Sequence, residues 1–169
     1  LYAMKKADST VLKNATSMLM IPDLLRYFLT GEKHGEFSNA TTTQLYNPIE
    51  VAWDQTLIKK LGLDPSIFPD VNMPGTFVGS VRSSLQEELG ISAIPVIAVA
   101  EHDTGSAVAA VPSLTKDFAY LSCGTWSLMG TEVDEPVLSD EALKLNFTNE
   151  GGVGRTYRLL KNIMGLWIL

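Results

Sequence analysis

Four consecutive residues carry the side chains best suited to chemistry in this sequence, and they are Glu101, His102, Asp103 and Thr104. A short apolar run at residues 94–100, rich in β-branched side chains, precedes them and predicts a central strand covered on both faces. Small residues at 104–111 follow and predict a tightly packed helix. Because ligands of open α/β sheets bind outside the carboxyl ends of the strands, this junction is the best candidate site.

Asp103 at this junction could accept the proton of a substrate hydroxyl. The N-terminal dipole of the following helix favours the ionised carboxylate. Phosphoryl transfer through a loose transition state needs the attacking hydroxyl oriented and its proton accepted late, so a weakly basic carboxylate is sufficient. The alternative interpretation is structural, because Asp and Thr are also common N-cap residues of helices, where each contributes about 1 kcal/mol.

A second candidate site is the turn Cys123-Gly124-Thr125, which joins two predicted strands. Backbone N–H groups and the Thr125 hydroxyl of such a turn could face an anionic phosphate. The simpler interpretation is a plain hairpin connection. The glycines at residues 151–154 match neither a P-loop nor a dinucleotide-binding motif, and they predict a flexible turn.

Other kinds of site have weaker support. His34 and His102 lie far apart in the sequence without a cysteine pair, so they do not form a ligand set for structural zinc. Cys123 with His102 would suggest nucleophilic catalysis, but a strand end favours a buried, inert thiol. A hydrolase that uses His102 with Asp103 is also weak, because neighbouring residues at a strand end point in different directions.

The elements around these residues indicate a mixed α/β class. Apolar residues at three- and four-residue spacing predict a helix from Met18 to Leu29, with Pro22 near its start and Gly31 after its end. The other predictions are helices at residues 51–61, 81–89 and 159–169, a loop or short extended segment at 38–48, no long helix at 64–79, and a β-hairpin of strands 118–122 and 126–130.

Composition limits the partners and the compartment. The 169 residues are 46% apolar, and 13 Lys and Arg against 19 Asp and Glu give a formal net charge of −6. An acidic chain without a basic cluster disfavours nucleic acid and anionic membrane surfaces as partners. A single cysteine and short apolar stretches lead us to expect a cytoplasmic protein. A start without methionine and an apolar end at Trp167, Ile168 and Leu169 predict a piece of a longer chain.

Several segments together resemble the FGGY family of carbohydrate kinases. The main ones are Ile-Pro-Val-Ile-Ala-Val-Ala-Glu-His-Asp-Thr-Gly-Ser-Ala-Val at 94–108 and Tyr-Leu-Ser-Cys-Gly-Thr-Trp-Ser-Leu at 120–128. The Gly-Thr-Trp-Ser turn at 124–127 and the Lys-Asn-Ile-Met-Gly run at 161–165 are the more specific parts. Further supporting segments lie at residues 20–25, 39–45 and 146–152. The resemblance extends over nearly the whole chain and is strongest to the members that phosphorylate L-rhamnulose.

The resemblance implies an actin-like, ribonuclease-H-like two-lobed fold, only partly present here, in which sugar and ATP meet between the lobes. It makes Asp103 the catalytic base that faces the sugar hydroxyl and His102 a sugar contact beside it. It assigns Gly124 and Thr125 to the nucleotide phosphates and Asn162 to a nucleotide contact from the second lobe. The implied reaction is ATP-dependent phosphorylation of L-rhamnulose to its 1-phosphate with Mg²⁺ accompanying the ATP, and fuculose or xylulose are the alternative sugars.

The implied lobe boundary falls near residues 112–117. Residues 1–113 would be the C-terminal part of the sugar-binding N-terminal lobe, and residues 114–169 would begin the nucleotide-binding C-terminal lobe. The family's early Asp-x-Gly phosphate hairpin and its later glycine-rich adenosine motif do not occur in this sequence. We therefore expect little or no kinase activity from this chain alone, and apolar edges that pair with the rest of the enzyme or with another copy. A different class of function, a non-catalytic actin-like module that binds a nucleotide or partner, is the alternative hypothesis.

Overall fold

Short helices and strands alternate along the chain in the computed structural model, which describes residues 1–166. The helices are α1 (Tyr2–Lys6), α2 (Thr10–Lys13), α3 (Ile21–Thr30), α4 (Phe37–Ala40), α5 (Gln55–Lys60), α6 (Ser83–Leu89), α7 (Asp103–Ala109) and α8 (Asp140–Lys144). The strands are β1 (Gly35–Glu36), β2 (Tyr46–Asn47), β3 (Ala52–Trp53), β4 (Val71–Asn72), β5 (Phe77–Ser80), β6 (Pro95–Ile97), β7 (Ala119–Cys123), β8 (Trp126–Val133), β9 (Thr148–Gly151) and β10 (Tyr157–Met164). The 3₁₀ turns are Thr41–Thr43 and Pro65–Ile67.

The C-terminal part of the chain forms a four-stranded antiparallel sheet in the order β7-β8-β10-β9. The hairpin predicted at residues 118–130 is confirmed, with β7 and β8 joined through Gly124 and Thr125. A turn follows the glycines as predicted, because residues 152–156 connect β9 to β10, although Gly151 itself is the last residue of β9. Shorter two-stranded pairs, β1-β4, β2-β3 and β5-β6, lie in the preceding part of the chain.

The predicted helix at residues 159–169 is wrong, because residues 157–164 form the inner strand β10. β10 pairs with β8 along its whole length and with β9 at residues 157–160, so both edges of its first half are hydrogen-bonded. Apolar residues spaced along a short segment fit either period, and here the two neighbouring strands decide the outcome. Residues 167–169 of that prediction lie outside the described part of the chain.

Helix α3 confirms the first predicted helix, and Gly31 ends it in the left-handed region at φ 83°. The Asp23 carboxylate accepts the Met20 backbone N–H at 3.0 Å and so satisfies an N-terminal donor. The inward face of the helix is charged, however, because Asp23 and Arg26 are buried while Ile21 is 70% and Leu25 59% exposed. The apolar stripe that predicted the helix therefore faces outward in the described structure.

Strand β6 lies where the apolar run predicts a strand, but its predicted central position is wrong for the described residues. It pairs with β5 alone, in an antiparallel two-stranded sheet. The run alternates in burial, since Ala98 and Ala100 are buried while Ile97 and Val99 are exposed. A continuous apolar run is typical of a strand covered on both faces, whereas one face is covered here.

The loop or short extended segment predicted at residues 38–48 is confirmed only at β2, because the stretch before it forms α4 and a 3₁₀ turn. The Glu36 side chain accepts the N–H groups of Ser38 and Asn39 and thereby starts α4. The Thr41–Thr43 hydroxyls then each donate to a backbone carbonyl of the preceding turn, at 2.6–3.0 Å. The side chains of these polar residues hydrogen-bond to the nearby backbone and so stabilise the helical turns. A search for periodic apolar residues does not reveal such local hydrogen bonds.

The helix predicted at residues 51–61 begins later than expected, at Gln55. Ala52–Trp53 pair with β2 instead, and the Asp54 carboxylate accepts the Leu57 N–H at 2.8 Å as the N-cap. The helices predicted at 81–89 and 104–111 are confirmed as α6 and α7, and the absence of a long helix at 64–79 is confirmed as well.

Three apolar clusters hold the described residues together. One joins α5 to its neighbours through Leu45, Ile58, Leu63, Ile67 and Phe68. A second packs α4 against β2 and β10 through Phe37, Ala40, Tyr46 and Tyr157. The third packs α7 on the four-stranded sheet through Val108, Tyr120 and Leu160. Within residues 1–166, none of the helices has the length and apolar character needed to cross a membrane.

Candidate active site

Hydrogen bonds hold the segment that connects β6 to α7, residues 98–102. The Ala98 N–H donates to the Thr76 carbonyl at 2.9 Å, which extends the pairing with β5 beyond the strand itself. The Ser106 hydroxyl donates back to the Ala100 carbonyl at 2.7 Å, and the Gly105 N–H donates to the His102 carbonyl at 2.7 Å. These bonds place His102 and Asp103 at the start of α7, as the sequence predicts.

Asp103 has its side chain turned outward, 98% exposed. Its Oδ1 accepts the Thr104 N–H at 2.6 Å and lies 3.3 Å from the Thr104 hydroxyl. The N-cap interpretation is wrong for Asp103, because His102 is the N-cap of α7, without a side-chain capping bond, and Asp103 is the first helical residue. One carboxylate oxygen is held by the Thr104 N–H, and the exposed side chain presents the other to solvent. A carboxylate in this position can reach a ligand outside the protein.

His102 lies beside Asp103 but in a different environment, with its side chain 25% exposed. Its Nδ1 is 3.4 Å from Nη1 of Arg158, 4.0 Å from the Glu150 carboxylate and 3.9 Å from the Asp103 carboxylate. Arg158 lies on β10 and Glu150 lies on β9. The His102 ring therefore contacts the four-stranded sheet and connects it to the start of α7.

Arg158 is fully buried, and its charge is balanced within the sheet. Nη2 lies 3.1 Å from the Glu150 carboxylate, and Nε donates to the Gly151 carbonyl at 3.1 Å. Gly105 packs against it, since a Cβ there would be in ordinary contact with the guanidinium carbon at 3.6 Å, while the tighter neighbour would be the Ala100 side chain at 3.2 Å. Removing one partner of such a buried pair leaves an uncompensated charge and is strongly destabilising.

A second buried charged cluster joins α3 to the same junction. Arg26 contacts the Asp23 carboxylate at 3.2 Å, forms an ion pair with Glu101, and donates to the His34 carbonyl at 2.7 Å. Burial raises the pKa of Asp23, although hydrogen bonds and the Arg26 charge oppose the shift. Burial also raises the pKa of the Glu36 carboxyl, which lies close by.

In the turn predicted to contact phosphate, the Gly124 N–H is already used in a hydrogen bond within the protein. The Gly124 N–H donates to the Trp126 carbonyl at 2.9 Å, and the Gly124 carbonyl accepts the Leu166 N–H at 2.9 Å. Thr125 is exposed, so its hydroxyl is open to solvent. Thr125 therefore retains the capacity to bind an anion.

Cys123 is exposed, so the prediction of a buried thiol is wrong. It ends β7 opposite Ser127, directly before the turn, where the burial of the strand stops. Burial along β7 alternates, and the residue that it places inside is Tyr120 rather than the cysteine.

Asn162 is exposed on β10, where it pairs with Leu128 of β8. Alternation along the strand puts it on the same face as Arg158 and Leu160, the face on which α7 packs. Along β10, Arg158 and Met164, the latter paired with Trp126 beside the turn, are about 20 Å apart at ~3.3 Å per residue. The structure thus brings His102 and Asp103 together at one end of this face, and Thr125 and Asn162 towards the other.

The structure also adds residues that the sequence analysis missed. They are Arg26, Glu36, Ser38, Glu150 and Arg158, all buried around the junction. A charged residue within an otherwise apolar strand sequence, as in Tyr-Arg-Leu-Leu at 157–160, was a usable signal for Arg158. Glu followed closely by Ser and Asn, at 36–39, is a capping pattern that could have indicated Glu36.

Comparison with known proteins agrees with the resemblance seen in the sequence. The family model for the N-terminal domain of the FGGY family of carbohydrate kinases matches residues 4–110. The rhamnulokinase of Oceanobacillus iheyensis is 50% identical over 169 residues, which are 100% of this chain and 36% of that protein. The rhamnulokinase of Bacteroides thetaiotaomicron is 49% identical, again over 100% of this chain and over 35% of its own length. The chain therefore spans about a third of the curated relatives that it matches.

Solved structures show the same fold. The xylulose kinase of Lactobacillus acidophilus superposes with a TM-score of 0.81 at 21% identity, over 94% of this chain and 32% of that one. A protein titled xyloylose kinase from Brucella ovis gives 0.84 at 18% identity, over 99% of this chain and 34% of its own. The expected fold class, a mixed α/β part of a sugar-kinase fold, is confirmed.

Proposed function

Because the chain belongs to the FGGY family of carbohydrate kinases, we propose that the complete protein transfers a phosphoryl group from ATP to a sugar hydroxyl. We further propose L-rhamnulose as the sugar and L-rhamnulose 1-phosphate as the product. The rhamnulokinases that are about half identical over the whole chain support this choice of ketose. The observation that carries the proposal is the outward Asp103 carboxylate beside His102, at the start of α7.

Asp103 acts as the base in this proposal. Its exposed carboxylate accepts the proton of the attacking sugar hydroxyl while that oxygen is aligned with the γ-phosphorus of ATP. The bond from the sugar oxygen to phosphorus forms, the bond from phosphorus to the leaving oxygen of ADP breaks, and the hydroxyl proton passes to Asp103. In a loose transition state most of the acceleration comes from position and charge neutralisation, so a carboxylate of ordinary basicity is sufficient.

His102 orients the sugar as a hydrogen-bond donor. Arginine can only donate, so the Arg158 guanidinium 3.4 Å away makes the His102 Nδ1 an acceptor. The proton of the neutral ring then resides on Nε2, which can donate to a hydroxyl of the ketose. This contact places the substrate beside Asp103.

Gly124, Thr125 and Asn162 serve the nucleotide. The exposed Thr125 hydroxyl suits a phosphate oxygen, the Gly124 backbone shapes the turn, and the exposed Asn162 amide lies on the face of β10 that also carries Leu160. Mg²⁺ accompanies ATP and supplies charge neutralisation at the phosphates. Among residues 1–166 no group of three or more His, Cys, Asp or Glu side chains is arranged so that it could hold a metal ion.

The proposal divides the chain between two lobes of a cytoplasmic enzyme. Residues 1–113 belong to the sugar-binding lobe and residues 114–169 begin the nucleotide-binding lobe. The fully exposed Leu114 and the exposed residues around it support a boundary at 112–117.

The substitution Asp103→Asn in the complete protein tests the proposal. The amide keeps the size of the side chain but cannot take the proton, so kcat with L-rhamnulose and ATP should fall about 10²–10⁴-fold. A coupled assay of ADP release measures turnover, and titration calorimetry with ATP measures binding, which should not change.

Asp140→Asn is the matched control, because Asp140 is also the exposed first residue of a short helix. Its turnover should equal that of the wild type. Unchanged turnover in Asp103→Asn would refute the assigned base. ATP binding without turnover on L-rhamnulose, fuculose or xylulose in the wild type would favour the non-catalytic module instead.

A further inference from the structure

The backbone immediately before Asp103 is held by two side chains from a distant part of the sequence. The Glu101 N–H donates to Oε2 of Glu36 at 3.1 Å, and the His102 N–H donates to Oγ of Ser38 at 3.0 Å. Both acceptor residues are fully buried, with 0% exposure. Two successive amides at the candidate site therefore end on side chains rather than on a neighbouring strand.

The two acceptors are fixed by each other. Oε1 of Glu36 accepts the Ser38 N–H at 2.8 Å, and Oε2 accepts the Ser38 hydroxyl at 2.5 Å and the Asn39 N–H at 3.2 Å. A hydroxyl has one proton, and that of Ser38 is donated to Glu36, so its lone pairs are free to accept the His102 N–H. The direction of every hydrogen bond in the pair is thereby determined.

The side chain of Glu101 is held from the opposite direction. Its carboxylate pairs with Arg26 of α3, while its backbone N–H points to Glu36. Residue 101 is thus anchored at both ends, and residue 102 is anchored through its N–H and through its ring contact with Arg158. Asp103 is the first residue after these anchors, so its Cα position follows from them.

We propose that Glu36 and Ser38 are positioning residues for phosphoryl transfer, which act by fixing the Glu101–His102 backbone and thereby the Asp103 carboxylate. The inference rests on the proposed function, since it concerns the base of that reaction. Both side chains are fully buried, so in this proposal neither contacts the substrate. Their effect follows from geometry, because a displacement of about 1 Å at a catalytic group can reduce a rate about 10²-fold.

Ser38→Ala in the complete protein is the first test. It removes the acceptor of the His102 N–H and one donor to Glu36, with a loss of only one atom of volume. We expect kcat with L-rhamnulose and ATP to fall about 10–100-fold, while KM for either substrate changes less than about threefold. Amide hydrogen exchange of the peptide that contains residues 100–104 should become at least about tenfold faster.

Glu36→Gln is the second variant, and it decides the matter if Ser38→Ala does not fold. The amide preserves the shape but presents a donor where the carboxylate accepted, so exchange at residues 101 and 102 should again increase and kcat should again fall. Ser139→Ala is the control, because the Ser139 hydroxyl likewise accepts a backbone N–H, from Ala142 at 3.1 Å, at the start of α8. It should change neither kcat nor the exchange at 100–104.

Turnover and amide hydrogen exchange together distinguish a failure of this inference from a failure of the proposed function. If the wild-type protein does not phosphorylate L-rhamnulose, the proposed substrate fails, and exchange still decides whether Ser38 and Glu36 hold the backbone. Unchanged exchange at residues 101 and 102 in both variants would overturn the inference. Faster exchange with an unchanged kcat would also overturn it, because Asp103 would then not depend on these anchors.

Discussion

Adjacent residues at the candidate site have opposite surroundings. Asp103 is directed to solvent, whereas the next residue back, His102, is held against Arg158 and Glu150 of the four-stranded sheet. One side chain is free to meet a ligand, and the ring of the other is held against the buried Arg158. These different surroundings agree with the proposed roles, in which Asp103 takes the proton of the sugar hydroxyl and His102 orients the sugar.

Two buried tyrosines give the protein a defined response to alkaline pH. Burial raises the pKa of Tyr46 and of Tyr120 to about 12. The unfolded chain loses these protons near pH 10, so above that pH it binds fewer protons than the folded chain. The free energy of unfolding should therefore fall from pH 10 to 12, by about 1.4 kcal/mol per pH unit for each tyrosine. Urea unfolding of the complete protein at several pH values measures this slope, and each Tyr→Phe variant should reduce it.

The Tyr46→Phe and Tyr120→Phe variants should differ in their free energy of unfolding at pH 7. Tyr46 donates to the Val51 carbonyl at 2.7 Å, so Tyr46→Phe should cost about 1 kcal/mol. The Tyr120 hydroxyl is buried without a hydrogen-bond partner among residues 1–166, so Tyr120→Phe should leave stability equal or higher. A Tyr120→Phe variant that unfolds at lower urea than Tyr46→Phe would contradict this explanation.

At the scale of elements, α4 and β9 interlock although they are far apart in sequence. The Gly151 N–H donates to the Thr41 hydroxyl at 2.7 Å, and a Cβ at Gly151 would lie 2.6 Å from the Phe37 ring. Since that ring is fully buried and packs edge-on against Tyr46 and Tyr157, it has little room to move.

Gly151→Ala should therefore destabilise the protein by about 3 kcal/mol through overpacking. Gly154→Ala is the comparison, because Gly154 has φ +74° with open space around it and should cost only about 1 kcal/mol in backbone strain. Thermal unfolding of both variants measures the difference. Equal losses would show that the Phe37 ring moves aside.

The elements show where sequence reasoning succeeds. Helix α3 and the β7-β8 hairpin were predictable, because Pro, Gly and apolar spacing act locally. β10 was not, since Leu159 and Leu160 suit a helix equally well and only the partners β8 and β9 make a strand. At the site, His102 and Asp103 were visible as consecutive polar residues after an apolar run. The capping pattern at 36–39 could have indicated Glu36, but the contacts of Glu36 and Ser38 with residues 101 and 102 were not predictable, because contacts across more than 60 residues leave no local pattern.

At the scale of the whole molecule, apolar surface remains uncovered. Ile21 and Leu25 on α3, Val99 after β6, and Leu121 and Met129 on the four-stranded sheet are each more than half exposed. Such surface usually marks an interface. The curated relatives are nearly three times as long as this chain, and we propose that further residues of such a protein cover this surface.

The 169-residue chain on its own should therefore show no measurable kinase activity. The candidate base and the candidate phosphate turn are both present, but most of the length of the related kinases is not. The coupled ADP assay with L-rhamnulose, run on the chain and on the complete protein at equal concentration, checks this. Turnover by the chain comparable to that of the complete protein would refute it.

The exposed stretch at 111–117 links two halves that also hold each other without it. The contacts of Thr41 with Gly151, of Phe37 with Tyr157 and of His102 with Arg158 all cross this division. A protease cut there would break the covalent connection and leave those contacts in place. The cleaved halves would stay associated, and this segment is accordingly the natural breakpoint for a split-protein complementation design.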